Sequence, residues 1–200
     1  MYRELIRLVA AIIAHPGKTW QQLAAKTEQK DEILTRFVYP LIGLATLAAF
    51  AGIFFTEKHF VVELALKAAV RTCVACFGSF FLAAWILNET WSKLFRHAPD
   101  IKLCRRFTAY SSTMMFALEI LLGILPEGDF FFLRAFLLYT AYIVWEGAPA
   151  YMGINNQMVK IARASMSARM ALAVIITTLI ILLPMIINYL MFLFLPGLRL

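Results

Sequence analysis

The chain has 200 residues, of which 62% are hydrophobic and only 16% charged, and it carries a formal net charge of +7. So much apolar surface exceeds what a water-soluble fold can cover, which excludes a soluble globular domain. The basic residues are scattered over short segments rather than drawn into a stripe with interleaved aromatics, so the charge does not point to nucleic acid.

The chain opens on Leu5, Leu8, Val9, Ile12 and Ile13 at helical spacing, opposite Arg3, Glu4 and Arg7 and ending before Pro16 and Gly17. This predicts a short amphipathic helix, too short to span a bilayer. It suits the membrane interface, with packing onto the other helices as the alternative. Charges among its apolar positions and the lack of a small-residue cleavage site argue against a secretory signal. A second, more polar helix is expected from Thr19 as N-cap through Trp20 and Leu23 toward Lys30.

Long apolar runs follow. A membrane-spanning helix must satisfy its own backbone hydrogen bonds and needs roughly 20 apolar residues to cross a hydrocarbon core of about 30 Å. Five runs meet that pattern: Phe37–Phe55, Thr72–Asn88, Phe107–Leu125, Phe130–Met152 and Met170–Leu195. The expected fold is therefore all-α: a five-helix membrane bundle with an N-terminal amphipathic helix. It divides into a cytoplasmic segment (1–36), a membrane domain (37–195) and a short external tail (196–200). Lys and Arg number fourteen on the side that holds the N-terminal tail and five on the other. Cytoplasmic loops retain basic residues, so the N-terminus is expected in the cytoplasm and the C-terminus outside.

No internal repeat divides the chain into inverted halves of the kind many transporters use. The three cysteines and three separated histidines (His15, His59, His97) supply neither a disulfide framework nor a metal-ligand spacing. Cys73 and Cys76 have CxxC spacing but lie in an apolar run without a second pair, and read as core thiols. Cys104, beside Lys102, Arg105 and Arg106 at a membrane boundary, is a candidate acylation site. No metal and no cofactor is expected.

Ionisable groups inside spans are costly and mark sites or structural bridges. Glu119 lies six residues before the end of the third run and Arg134 four residues after the start of the fourth, which puts them within about 3 Å of the same depth. An intramembrane ion pair across the hairpin is expected; an ion pathway and separate snorkelling are the alternatives. Near the cytoplasmic end of the fourth run, Pro149 leaves the Trp145 carbonyl without its helical donor, so a kink or unwinding is expected there. Tyr142, Trp145, Glu146, Gly147, Pro149 and Asn155 surround that point as a candidate partner- or ligand-binding site; the plainer reading is a helix end in an aromatic belt. Ala48-x-x-x-Gly52 and Ala75-x-x-x-Ser79 have the small-residue spacing of close helix packing. Pro184 and Asn188 interrupt the fifth run.

The stretch Tyr139-Thr-Ala-Tyr142-Ile-Val-Trp145-Glu146-Gly147-Ala-Pro149-Ala-Tyr151-Met152-Gly-Ile-Asn155 resembles the signature of the YIP (Ypt/Rab-interacting protein) domain family. The upstream pieces His15-Pro16-Gly-Lys-Thr19-Trp20-Gln-Gln-Leu23 and Phe37-Val-Tyr39-Pro40-Leu41 are similar to the start of its small bacterial members. The resemblance implies a membrane protein of the bacterial cytoplasmic membrane. The long cytosolic domain and the Asp-Leu-x-Gly-Pro type motif of the eukaryotic trafficking members are not part of this sequence, so binding of a Rab-type GTPase is not implied.

No Gly-x-Ser-x-Gly, His-Glu-x-x-His or clustered His/Asp motif is present, so an enzyme is not expected. The leading expectation is a membrane scaffold or adaptor that engages anionic lipid or another membrane protein. The competing expectation is a small channel or transporter lined by Glu119, Glu146 and Asn188.

Overall fold

The computed structural model describes residues 2–25, 33–56, 62–95, 100–125, 131–151 and 175–182. Among the described residues the chain is helical almost throughout and forms no strand. Helices α1 (Tyr2–Ala14) and α2 (Pro16–Ala25) meet at His15. Pro16 opens α2, where its missing N–H is not needed and its fixed φ suits the first turn. Thr19 therefore lies inside α2 rather than capping it, and its hydroxyl donates to the carbonyls of Ala11 (3.0 Å) and His15 (2.9 Å), tying the two short helices together. Leu5 and Ile12 of α1 are buried, whereas Arg3, Glu4 and Arg7 are exposed, as the spacing predicts.

The first apolar run is one helical stretch in two geometries. A π-helical turn, Leu34–Val38, leads into α3 (Tyr39–Thr56), and the Tyr39 N–H bonds the Leu34 carbonyl. Pro40 explains the wide turn, since its ring would crowd the carbonyl one α-turn back and its nitrogen has no proton to donate. The second run is much longer than hydropathy alone predicts: α4 covers Val62–Phe95, 34 residues or about 51 Å. It begins about ten residues early because Glu63 and Lys67, exposed and paired at 2.6 Å with i,i+4 spacing, suit a helix end outside hydrocarbon. Lys67 and Arg71 thus belong to a helix and not to a loop.

The third run is broken. Asp100 caps α5 (Ile101–Ser111) by accepting from the N–H groups of Lys102 (3.0 Å) and Leu103 (3.2 Å), and α6 (Thr113–Ile124) continues at 45° to it. No proline or glycine stands at the bend. It falls on Ser111-Ser112-Thr113, where hydroxyls compete for backbone groups: Thr113 Oγ1 donates to the Tyr110 carbonyl at 2.6 Å. The fourth run also changes geometry, from a 3-10 stretch (Phe131–Leu138) to α7 (Tyr139–Tyr151). The helix does not unwind at Pro149 but continues to Tyr151. Of the fifth run, residues 175–182 are described and are helical; Pro184 and Asn188 lie outside the described residues.

By length and composition, Leu34–Phe55 and Val62–Thr90 suffice to cross a membrane, and the bent α5–α6 pair makes a third span if taken as one. Helix α3 packs closely on both α4 and α6. The small-residue seam lies at the α3–α6 crossing: a Cβ on Gly52 would strike the Gly123 carbonyl, and one on Gly123 would sit 3.0 Å from the Ala49 nitrogen and 3.1 Å from the Ala48 carbonyl carbon. Ala48-x-x-x-Gly52 is thus used within the chain, where backbones approach too closely for side chains.

Candidate functional site

Helix α2 supplies the side chain that organises the candidate site around α7. Trp20 is 1% exposed although Lys18, Gln21 and Gln22 surround it in sequence. Its indole stacks on Phe107 of α5 at 5.1 Å and meets Tyr110 edge-on at 5.8 Å, and Tyr110 in turn meets Phe37 at 5.3 Å. The indole Nε1–H donates to the Ile143 carbonyl of α7 at 3.0 Å. Burying an indole without a partner for its N–H would be costly, and this bond removes the cost while fixing α2 against α7.

The same contact explains Gly147. A Cβ there would lie 2.7 Å from Cζ2 and Nε1 of Trp20, so only glycine admits the indole. Gly17 lies against Glu146: a Cβ at 17 would lie 2.7 Å from a Glu146 carboxylate oxygen, the mobile end of that side chain. Gly147 therefore admits the indole, while Gly17 marks where the Glu146 carboxylate reaches α2. A third tie is the hydroxyl of Tyr139, which donates to the Ile13 carbonyl at 2.8 Å and holds the end of α1. The N-terminal helices share one hydrophobic core with Phe37, Phe80, Phe107, Phe116 and Ile143.

The residues singled out from sequence divide between two faces of α7. Glu146 and Gly147 turn toward α2, while Tyr142 and Trp145 are 47% and 45% exposed. Pro149 lies in the last turn of α7; Asn155 lies outside the described residues. Elsewhere, Glu119 is on α6 and Arg134 on the 3-10 stretch packed beside it. Both are half-buried, and neither side chain is without an interaction. Cys76 is buried in the core, and Cys104 is buried with its thiol 3.9 Å from the Asn88 side-chain oxygen. Among the described residues no group of three His, Cys, Asp or Glu is placed to hold a metal ion.

Sequence reasoning missed the centrality of Trp20. The available signal was the pairing of Gly17 and Trp20 with the distant Glu146-Gly147, small against large and large against small, which only a register between α2 and α7 reveals.

Helices this long and apolar, joined in one core without a soluble domain among the described residues, define an integral membrane protein of all-helical type. The family model of the Yip1 domain matches residues 10–187, and the chain belongs to that family. No curated protein and no solved structure matches it.

Proposed function

We propose that the protein is a non-enzymatic scaffold or adaptor of the Yip1 type, serving membrane organisation or trafficking in the bacterial cytoplasmic membrane. Its N-terminus is cytoplasmic and its C-terminus external, with five spans in all, the fourth and fifth being Phe130–Met152 and Met170–Leu195. The Glu119 and Arg134 side chains bridge the hairpin between the third and fourth spans as a structural ion pair. Membrane lipid and another membrane protein are the partners of this reading, engaged through basic cytoplasmic segments and the outer face of α7.

One observation carries it. Glu146 and Gly147 are used internally, by α2, and this leaves Tyr142 and Trp145 as an exposed aromatic pair one turn apart on the same helix. Paired Tyr and Trp at a membrane boundary combine an apolar body with a polar tip, which suits lipid headgroups and protein interfaces alike.

The test is photocrosslinking in native membranes from a reactive residue at position 145. Capture of one defined lipid or membrane protein, lost on Tyr142→Ala, supports the adaptor reading. Absence of capture, together with water-accessible labelling along Glu119, would replace it with a channel or transporter.

A further inference from the structure

A second feature lies deeper in the bundle and is independent of the α7 outer face. Helix α6 packs on the 3-10 stretch and α5 on α7, so the two halves of this hairpin run antiparallel. Trp20 touches the Phe107 ring on one side and the Ile143 carbonyl on the other, which fixes those residues at one level. One turn further along α5 is Ser111, and one turn back along α7 is Thr140. The register therefore brings the α5–α6 bend, at Ser111-Ser112-Thr113, opposite the point where the 3-10 stretch becomes α7 at Leu138-Tyr139. Both arms of the hairpin change geometry at the same depth.

Three hydroxyls on the turns around this level have no hydrogen-bond partner within the protein: Thr108, Ser111 and Thr140, each 0% exposed. Thr108 and Ser111 are one turn apart on α5, and the register puts Thr140 of α7 at the level of Ser111. Thr113, next to them, differs in being satisfied by the Tyr110 carbonyl. A buried hydroxyl without a partner is costly, and apolar packing does not offset that cost. Buried water typically makes about three hydrogen bonds to such groups. Hydroxyls donate and accept, as water does, and no carboxylate among these three residues offsets the charge of a cation.

We infer that Thr108, Ser111 and Thr140 form a built hydration site, holding water at the matched break in the α5–α6 and 3-10–α7 arms. The water completes the hydroxyls and stands in for the helical bonding that the bend interrupts. The site makes the bend a stable feature of the bundle without proline or glycine.

The experiment is water-edited solid-state NMR on the full chain in lipid bilayers, reading transfer of water polarisation to threonine methyls. The methyls of Thr108 and Thr140 should build up signal alongside that of exposed Thr35, while those of buried Leu87 stay slow. Replacing sodium by potassium or choline at constant ionic strength should change nothing. In the triple variant Thr108→Val, Ser111→Ala, Thr140→Val, the transfer at 108 and 140 should fall to the Leu87 level. Slow transfer to Thr108 and Thr140 in the unsubstituted chain would overturn the inference, even where the triple variant fails to fold. Transfer that depends on the cation would assign the site to an ion, and transfer that persists in the triple variant would show that the hydroxyls do not hold the water.

Discussion

Trp20 donates its indole N–H to the carbonyl of Ile143 across 3.0 Å, joining positions 123 residues apart in the sequence. A tryptophan in a short polar helix thereby becomes the centre of an aromatic core that includes Phe107 and Tyr110.

Truncating it should be severe. Trp20→Ala removes a fully buried aromatic side chain and is expected to destabilise the protein by about 3–5 kcal/mol. Trp20→Phe keeps most of the packing and loses the hydrogen bond, for about 1 kcal/mol. Denaturant unfolding in mixed micelles, compared for the two variants, checks the order.

Gly147→Ala places a methyl group against the Trp20 indole, not against a side chain that can swing away. An overpacking cost of about 1–3 kcal/mol is expected. Because the clash is with Trp20, combining Gly147→Ala with Trp20→Ala should cost less than the two single losses added together. Full additivity in that cycle would mean that the two residues do not meet.

The α3–α6 crossing is less forgiving. At Gly52 a Cβ would meet the Gly123 backbone carbonyl, and backbone cannot move aside without separating the helices. Gly52→Ala should therefore lower the thermal midpoint in detergent more than Ala substitution of Gly43, which faces open space on the same helix.

Tyr139→Phe deletes the hydrogen bond to the Ile13 carbonyl and little else. A loss of about 1 kcal/mol is expected, confined to the N-terminal helices. Hydrogen exchange should quicken over α1 and stay unchanged in α3; a uniform increase would place the effect elsewhere.

Much of this fold was legible in the sequence where a single segment carries its own signal. The apolar runs that become α3 and α4, the inward face of α1 and the Ala48-x-x-x-Gly52 seam follow from spacing alone. The resemblance carried by Tyr139 to Asn155 and the upstream pieces likewise pointed to the family whose model matches residues 10–187. What stayed hidden depends on two segments at once. Trp20 reads only as part of a polar helix until its register with Gly147 is known. The α5–α6 bend has no proline or glycine to announce it, and the three buried hydroxyls near its level belong to segments that only the hairpin aligns. The early start of α4 was missed for another reason: Glu63 and Lys67 lower hydropathy while supporting helix.

The most direct measurement is a short thiol–thiol crosslink between Gly17→Cys and Glu146→Cys in native membranes, with Cys73, Cys76 and Cys104 replaced by alanine. The docked arrangement of α2 on α7 predicts rapid, near-complete intramolecular crosslinking, while a Gly17→Cys/Trp145→Cys pair, on the exposed face, stays uncrosslinked. Failure of the 17–146 pair to crosslink, with residue 146 freely labelled by a water-soluble maleimide, would contradict the account. The N-terminal helices would then lie apart from α7, and the Glu146 face would be open instead of occupied.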